Sequence, residues 1–211
     1  MYKRQIYNYP SSSIAEDYRT LRTNLKLKLD KIKDSRGKVI LISSTSREED
    51  KDLVVVNLST IFQMANYKVV AIELDLREPM LHRFFNIRGI DRDIVSYLRG
   101  DSSIEDIIYY TKYDNLQVIP AKEIASNPSE LILSSNLSKL IDELKVYYDY
   151  IIINSTPFGN LADTKYLIKY SDIFLAVLRK NITQKKSILE LNSLISEENI
   201  KNIGAVFINY S

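Results

Sequence analysis

The sequence predicts an α/β fold: one doubly wound, mainly parallel sheet flanked by helices. Strand-length apolar runs alternate with helical patterns along the chain, and most of those runs are continuously apolar rather than alternating. Strands of that kind need cover on both faces, as strands of parallel sheets have. No internal repeat and no Pro/Gly-rich linker divides the 211 residues, a length that suits a single domain over 1–211 with a well-buried core.

The elements follow in order. Residues 1–10 read as a loose arm. Ser11-Ser12-Ser13 offers N-caps for a long helix, SIAEDYRTLRTNLKLKLDKIK, in which Ile14, Tyr18, Leu21, Leu25 and Leu29 recur at helical spacing until Gly37 breaks the pattern. KVILISS (38–44) is a strand, STSREEDKD a polar loop, and LVVVNLSTIFQMA (53–65) a helix buried on most sides, although its β-branched content alone would suggest a strand. KVVAIELDL (68–76) is the next strand, and Pro79 begins a short helix. One or two helices occupy 92–110, and NLQVIP (115–120) is a short strand. The amphipathic helix SNLSKLIDELKVYY (135–148) leads into the strand DYIIINS (149–155). A helix at 161–170, the strand DIFLAVL (172–178), a helix at 183–196 and the strand IGAVFIN (203–209) complete the chain.

Composition removes several function classes. The formal net charge is +2, which argues against a nucleic-acid protein. Cysteine is absent, so disulfides, thiolate metal sites and cysteine nucleophiles are excluded, and the single histidine, His82, argues against a histidine-rich metal site. No signal peptide or membrane-length apolar run is present, so a cytoplasmic protein is expected. Ligands of doubly wound sheets sit beyond the carboxyl ends of the strands. Here those ends are 43–52, 73–79, 154–163 and 179–181, and the candidate chemistry is sought there.

At these ends and on the first helix the sequence resembles the cytoplasmic bacterial tyrosine kinases of capsule synthesis, from about Ser12 to Asn209. AEDYRTLRTNL carries the family's Glu-x-x-Arg-x-x-Arg helix through Glu16, Arg19 and Arg22. VVAIELDLREPMLHRFFNI matches the second Walker motif with its arginine and proline, NPSELI matches a segment between the middle strands, and YDYIIINSTP followed by Ala162-Asp163 matches the Walker B region. The order and spacing of these segments carry the resemblance more than any one of them.

The departures bear on function. A working phosphate loop reads G-x-x-x-x-G-K-[ST]. Aligned on Lys51, this chain has Ser46-Arg47-Glu48-Glu49-Asp50-Lys51-Asp52: the glycines are gone, Glu48 also stands at a family glycine, and Asp52 replaces the hydroxyl that ligates magnesium. The second Walker pair is Glu73 and Asp75, and the Walker B aspartate is Asn154. Glycine is needed where φ is positive and backbone approaches phosphate closely. Acids there meet the phosphate charges, each contact costing about 1 kcal/mol at ~4 Å in water and about 4 at an intermediate dielectric. The same acids suit a helix start, where Asp50 and Asp52 are expected to cap free N–H groups in place of phosphates.

The resemblance therefore implies a nucleotide-binding fold of the P-loop type with a degenerate site at Lys51, Asp52, Arg77 and Asn154, no metal, and no cofactor. The alternative is an active tyrosine kinase using Mg-ATP through an atypical loop. In that case Asp75 would act as base beside Asp163, whereas the other reading makes both inherited strand-end carboxylates. Lys51 is expected to pair with Glu48, Glu49 or Asp75. Arg77 is read equally as a phosphate contact or a subunit contact, and His82 as structural. Glu16, Arg19 and Arg22 are expected at an oligomer interface, with a solvated, locally paired face as the alternative. The resemblance further implies a regulatory or scaffolding role in exopolysaccharide synthesis. The expected partner is a membrane activator protein or a kinase homologue that recruits the chain to the inner face of the membrane. With Asn209-Tyr210-Ser211 following the last strand, a counterpart of the family's C-terminal tyrosine cluster is not expected. Tyr2, Tyr7 and Tyr9 form a small N-terminal group that composition explains more economically.

Overall fold

The computed structural model describes residues 6–33, 36–158 and 162–209. Within these, seven strands form one sheet: β1 (Lys38–Ser44), β2 (Val69–Leu74), β3 (Tyr109–Tyr110), β4 (Leu116–Ile119), β5 (Tyr150–Ser155), β6 (Ile173–Arg179) and β7 (Ile203–Ile208). Their order is β3-β4-β2-β5-β1-β6-β7, parallel throughout except for β3, which runs antiparallel to β4. The expected fold class is therefore found. The antiparallel edge strand lies within the stretch read as helical at 92–110, which holds only one helix, α4 (Ile94–Arg99). Gly100 in the left-handed conformation ends α4.

Strands β2 and β5 are buried along their whole length, and β1 is buried after Lys38. Alternate residues face two cores. Val39, Leu41, Ile72, Ile153 and Phe174 pack with α6 (Ser135–Tyr147) and α8 (Lys185–Glu197) on one face. Ile40, Ile42, Ala71, Ile152 and Leu175 pack with α1 (Ser13–Leu29) and α2 (Lys51–Gln63) on the other. Every residue of α2 except Asp52 and Gln63 is buried. Its buried hydroxyls return to the helix backbone, Ser59 Oγ to the Val55 carbonyl and Thr60 Oγ1 to that of Val56, so polar atoms inside the core stay satisfied. The helix prevailed over strand propensity because α2 is covered on all sides and tertiary burial outweighs a preference of a few tenths of a kcal/mol.

The N-terminal arm is not loose over its described part. Ile6 is buried, its N–H donates to Asn57 Oδ1 of α2 at 3.1 Å, and Tyr7 lies against Tyr113 with ring centroids 4.3 Å apart. Ser12 then caps α1 through the Ala15 N–H, as expected. Tyr2 lies outside the described residues. Pro79 precedes only a single turn, α3 (Leu81–Phe84), and two further short helices, α5 (Pro128–Ile132) and α7 (Ala162–Ile168), stand over the strand ends. No helix among the described residues is long and apolar enough to cross a membrane.

Candidate functional site

The register of the sheet assembles the site. β2 and β5 pair so that Glu73 stands beside Asn154, and β1 delivers the loop 45–50 and the start of α2 to the same end. Lys51 reaches back over these strand ends. Its Nζ donates to Asp75 Oδ2 at 3.0 Å, Asp52 Oδ1 at 3.1 Å and Asn154 Oδ1 at 3.1 Å, and the residue is 2% exposed. An ammonium has three N–H donors, and all three are used inside the chain. The expected pairing with Asp75 is present. Pairing with Glu48 or Glu49 is replaced by Asp52 and Asn154, because the loop turns the two glutamates elsewhere.

Asn154 is the bridge of this network. While its Oδ1 accepts from Lys51, its Nδ2 donates to Asp52 Oδ1 at 2.8 Å and to Glu73 Oε1 at 2.8 Å. Glu73 also accepts from the N–H groups of Asp75, Met80 and Leu81 and so pins the start of α3. Burial opposes the Lys51 charge, but Asp52, Asp75 and Glu73 outweigh it and hold the pKa above the ordinary lysine value. Burial first and Asp52 second push the Glu73 carboxyl up to about 8, against the pull of Lys51 and the Leu81 and Met80 amides. Folded Glu73 thus keeps a proton that the unfolded chain releases near 4.5. Its contribution to stability is complete below that value and is lost as pH rises through about 8. The Glu73 side-chain carboxyl 13C resonance is expected to titrate near pH 8 and to move lower in Asp52→Ser; a midpoint near 4.5 in the unaltered chain would contradict this assignment.

The loop keeps the backbone that glycine would take. Asp50 has φ 56° and ψ 32°, the left-handed region, although it is not glycine. Contrary to expectation, its carboxylate makes no cap at α2. It pairs instead with Arg179 at the end of β6, Nη1 to Oδ2 2.7 Å, and the same guanidinium donates to the Glu48 carbonyl at 2.9 Å. The positive φ turns the side chain away from the free N–H groups of the first turn. Asp52 lies in that turn, favourably for the helix dipole, but its Oδ1 is taken by Lys51 and Asn154. The fully buried Glu49 accepts from the Thr45 and Ser46 N–H groups at 2.6 and 3.2 Å and from the Thr183 hydroxyl. Arg47 pairs with Glu78. The loop is thus tied to the segments after β2 and β6.

Arg77 and Asp163 form a second, separate network. Arg77 Nε donates to Asp163 Oδ2 at 2.8 Å, Ser129 Oγ donates to Asp163 Oδ1 at 2.7 Å, and Arg77 Nη2 reaches Ser129 Oγ at 3.0 Å. Asp75 and Asp163 therefore hold different cations. Arg19 pairs with Glu16 and donates to the Pro10 carbonyl at 2.7 Å, while Arg22 donates to the Ile61 carbonyl of α2 at 2.7 Å. Burial lowers the His82 pKa, as does Arg83, and its Nδ1 is buried without a hydrogen bond. Sequence reasoning missed Arg179, Thr183 and Ser129, and it named Glu49 only as a partner of Lys51. The strand-end rule pointed to 179–181, and NPSELI contains Ser129, but neither signal names a contact.

Lys51 thus spends its three N–H groups within the chain, and the carboxylate of Asp52 stands where the phosphate-loop pattern has a hydroxyl. Residues 20–203 match the AAA domain family model. The chain belongs to this family, on its bacterial tyrosine kinase branch. It is 28% identical over 192 residues to the tyrosine-protein kinase CpsD of Streptococcus pneumoniae, covering 91% of this chain and 82% of the relative. It is 28% identical over 197 residues to the tyrosine-protein kinase YwqD of Bacillus subtilis, covering 93% and 81%. The crystal structure of the chimerical protein CapA2B2 superposes with TM-score 0.87 at 27% identity, covering 97% of this chain and 88% of that one. The bacterial tyrosine kinase fold thus supplies the strand ends, and this chain furnishes them with its own closed set of contacts.

Proposed function

We propose that this chain is a catalytically impaired bacterial tyrosine kinase homologue acting as a regulatory or scaffolding component of exopolysaccharide and capsule biosynthesis. The observation that carries the reading is the closed contact set of Lys51, shared among Asp52, Asp75 and Asn154 at 2% exposure. Phosphoryl transfer rests on positioning and on cations that neutralise developing charge. The one lysine of the loop is neutralised by carboxylates, and the hydroxyl position that would join a magnesium ion is itself an acid. The capsule context follows from the kinship with the tyrosine-protein kinases.

Calorimetry tests the reading. No heat of Mg-ATP binding is expected at micromolar protein, and single-turnover assays with labelled ATP should give no phosphotyrosine. Glu48→Gly, Asp50→Gly, Asp52→Ser and Asn154→Asp combined should recover nucleotide binding. Micromolar affinity or autophosphorylation in the unaltered chain would establish the alternative, an active kinase with Asp75 as base and Asp163 nearby. The contact of Lys51 with Asp75 favours that second reading to the extent that nucleotide could displace Asp52.

The partner in this reading is a membrane activator or a kinase homologue, which brings the chain to the inner membrane face. Self-association through α1 would use Glu16 and Arg19, with Arg22 fixing α1 to α2. Light scattering after size exclusion should then give a mass above the monomer that falls in Arg19→Glu. A monomer at high concentration removes the interface.

A further inference from the structure

A groove that shares no residue with the Lys51 network runs along the β3 edge of the sheet. One wall is Arg83–Arg88, the end of α3 and the turn after it, and the other is the segment Tyr109–Tyr113; together they enclose about 570 Å3. That volume lies in the ordinary range for ligand sites. Among the described residues three cations, Arg83, Arg88 and Lys112, line it, and no acidic residue does. None of the three has an ion-pair partner among the described residues.

β3 is the last strand of the sheet among the described residues, with no strand of theirs on its outer side, and Tyr110 is 82% exposed. Lysine at a sheet edge is a common device against unwanted pairing, and it would explain Lys112, two residues past β3, alone. It does not explain Arg83 and Arg88, which come from the opposite wall and face the same space. That wall is preformed: Asn86 takes φ 55°, the Ile87 N–H donates to the His82 carbonyl at 2.8 Å, and the Asn86 N–H donates to that of Arg83 at 3.2 Å. The two cationic positions are thus carried on a fixed turn, and Lys112 is held over the Tyr7 and Tyr113 rings at 4.6 and 5.1 Å.

We propose that this groove docks an extended acidic polypeptide segment of a partner protein, added alongside β3 with its carboxylates between Arg83, Arg88 and Lys112 and an apolar side chain on the Tyr110 ring. An open strand edge offers backbone pairing, unpaired cations select acidic side chains, and an exposed tyrosine supplies contact area at small entropic cost. The proposal is independent of whether the Lys51 site turns over nucleotide.

The test uses the full chain and a fluorescein-labelled peptide of alternating Glu and Val, read by anisotropy at low salt. Saturable binding is expected, weakened about tenfold or more by Arg88→Glu/Lys112→Glu and relieved by ~0.5 M salt. Tyr110→Ala should weaken it less. Amide shifts confined to 83–88 and 109–113 locate the peptide, and unchanged melting shows that the variants fold. An alternating Lys and Val peptide should not bind. Binding that ignores the double charge reversal, or shifts elsewhere in the chain, overturns the proposal. So does saturable binding of dextran sulfate at these residues without the peptide, which would make the groove a site for an anionic glycan.

Discussion

Lys51→Met is expected to lower the stability of the fold by about 3–5 kcal/mol, the usual cost of removing one partner from a buried ion pair. The ammonium is 2% exposed and holds Asp75 and Asp52 at 3.0 and 3.1 Å. Without it the Asp75 carboxylate, also almost fully buried, has lost its cation, and the Asn154 amide loses its acceptor role. For a chain of this length each kcal/mol moves the melting temperature by about 2–4 °C, so a drop on the order of 10 °C is expected. Differential scanning calorimetry at neutral pH measures it. A lysine kept only to meet a phosphate would be removed at almost no cost to the apo fold, so an unchanged melting temperature would sink the closed-network reading. Asp52→Asn in the Lys51→Met background should recover part of the loss, since it removes one of the stranded carboxylates.

Asn154→Asp is the second large effect. The amide donates at 2.8 Å to both Asp52 and Glu73, and a carboxylate in its place turns two hydrogen bonds into two acid–acid contacts. A like-charge contact of that kind costs about 4 kcal/mol at ~4 Å and an effective dielectric of ~20. Glu73 carries its proton up to about pH 8, so the penalty at neutral pH comes chiefly from Asp52. Asp52→Ser should therefore rescue Asn154→Asp, and the cycle of single and double variants should show a coupling of about 1–3 kcal/mol. Additive effects would mean that the two positions do not share charge. By resemblance, the expected pair is a hydroxyl at 52 and an acid at 154. Here the acid stands at 52 and a neutral amide at 154.

The contact between Asp52 and Asn154 could not be read from the match to the family pattern. The sequence presents Asp52 and Asn154 as two separate losses, and only the β2–β5 register together with the first turn of α2 places them 2.8 Å apart. Asp50 makes the same point in reverse. Its chemistry suggested a helix cap, but a φ of 56° aims the carboxylate at Arg179 instead. Side-chain direction depends on backbone conformation, which a residue type at a helix start does not reveal. Asp75 and Asp163 were joined by resemblance and are divided by geometry, because Arg77 and Ser129 claim Asp163.

What the sequence determined by itself was the layered α/β architecture, the places where strands end, and kinship with the bacterial tyrosine kinases. Continuous apolar runs, helical periodicity and turn residues are local signals, and a covered parallel sheet satisfies all of them together. The tertiary structure alone decided who pairs with whom at the strand ends: the three acceptors of Lys51, the bridge at Asn154, the Asp50–Arg179 contact, and the anchoring of Ile6 across α2. The physical reason is distance along the chain. Lys51 meets Asn154 across 103 residues and Arg179 meets Asp50 across 129, and contacts of that span follow from sheet order and register.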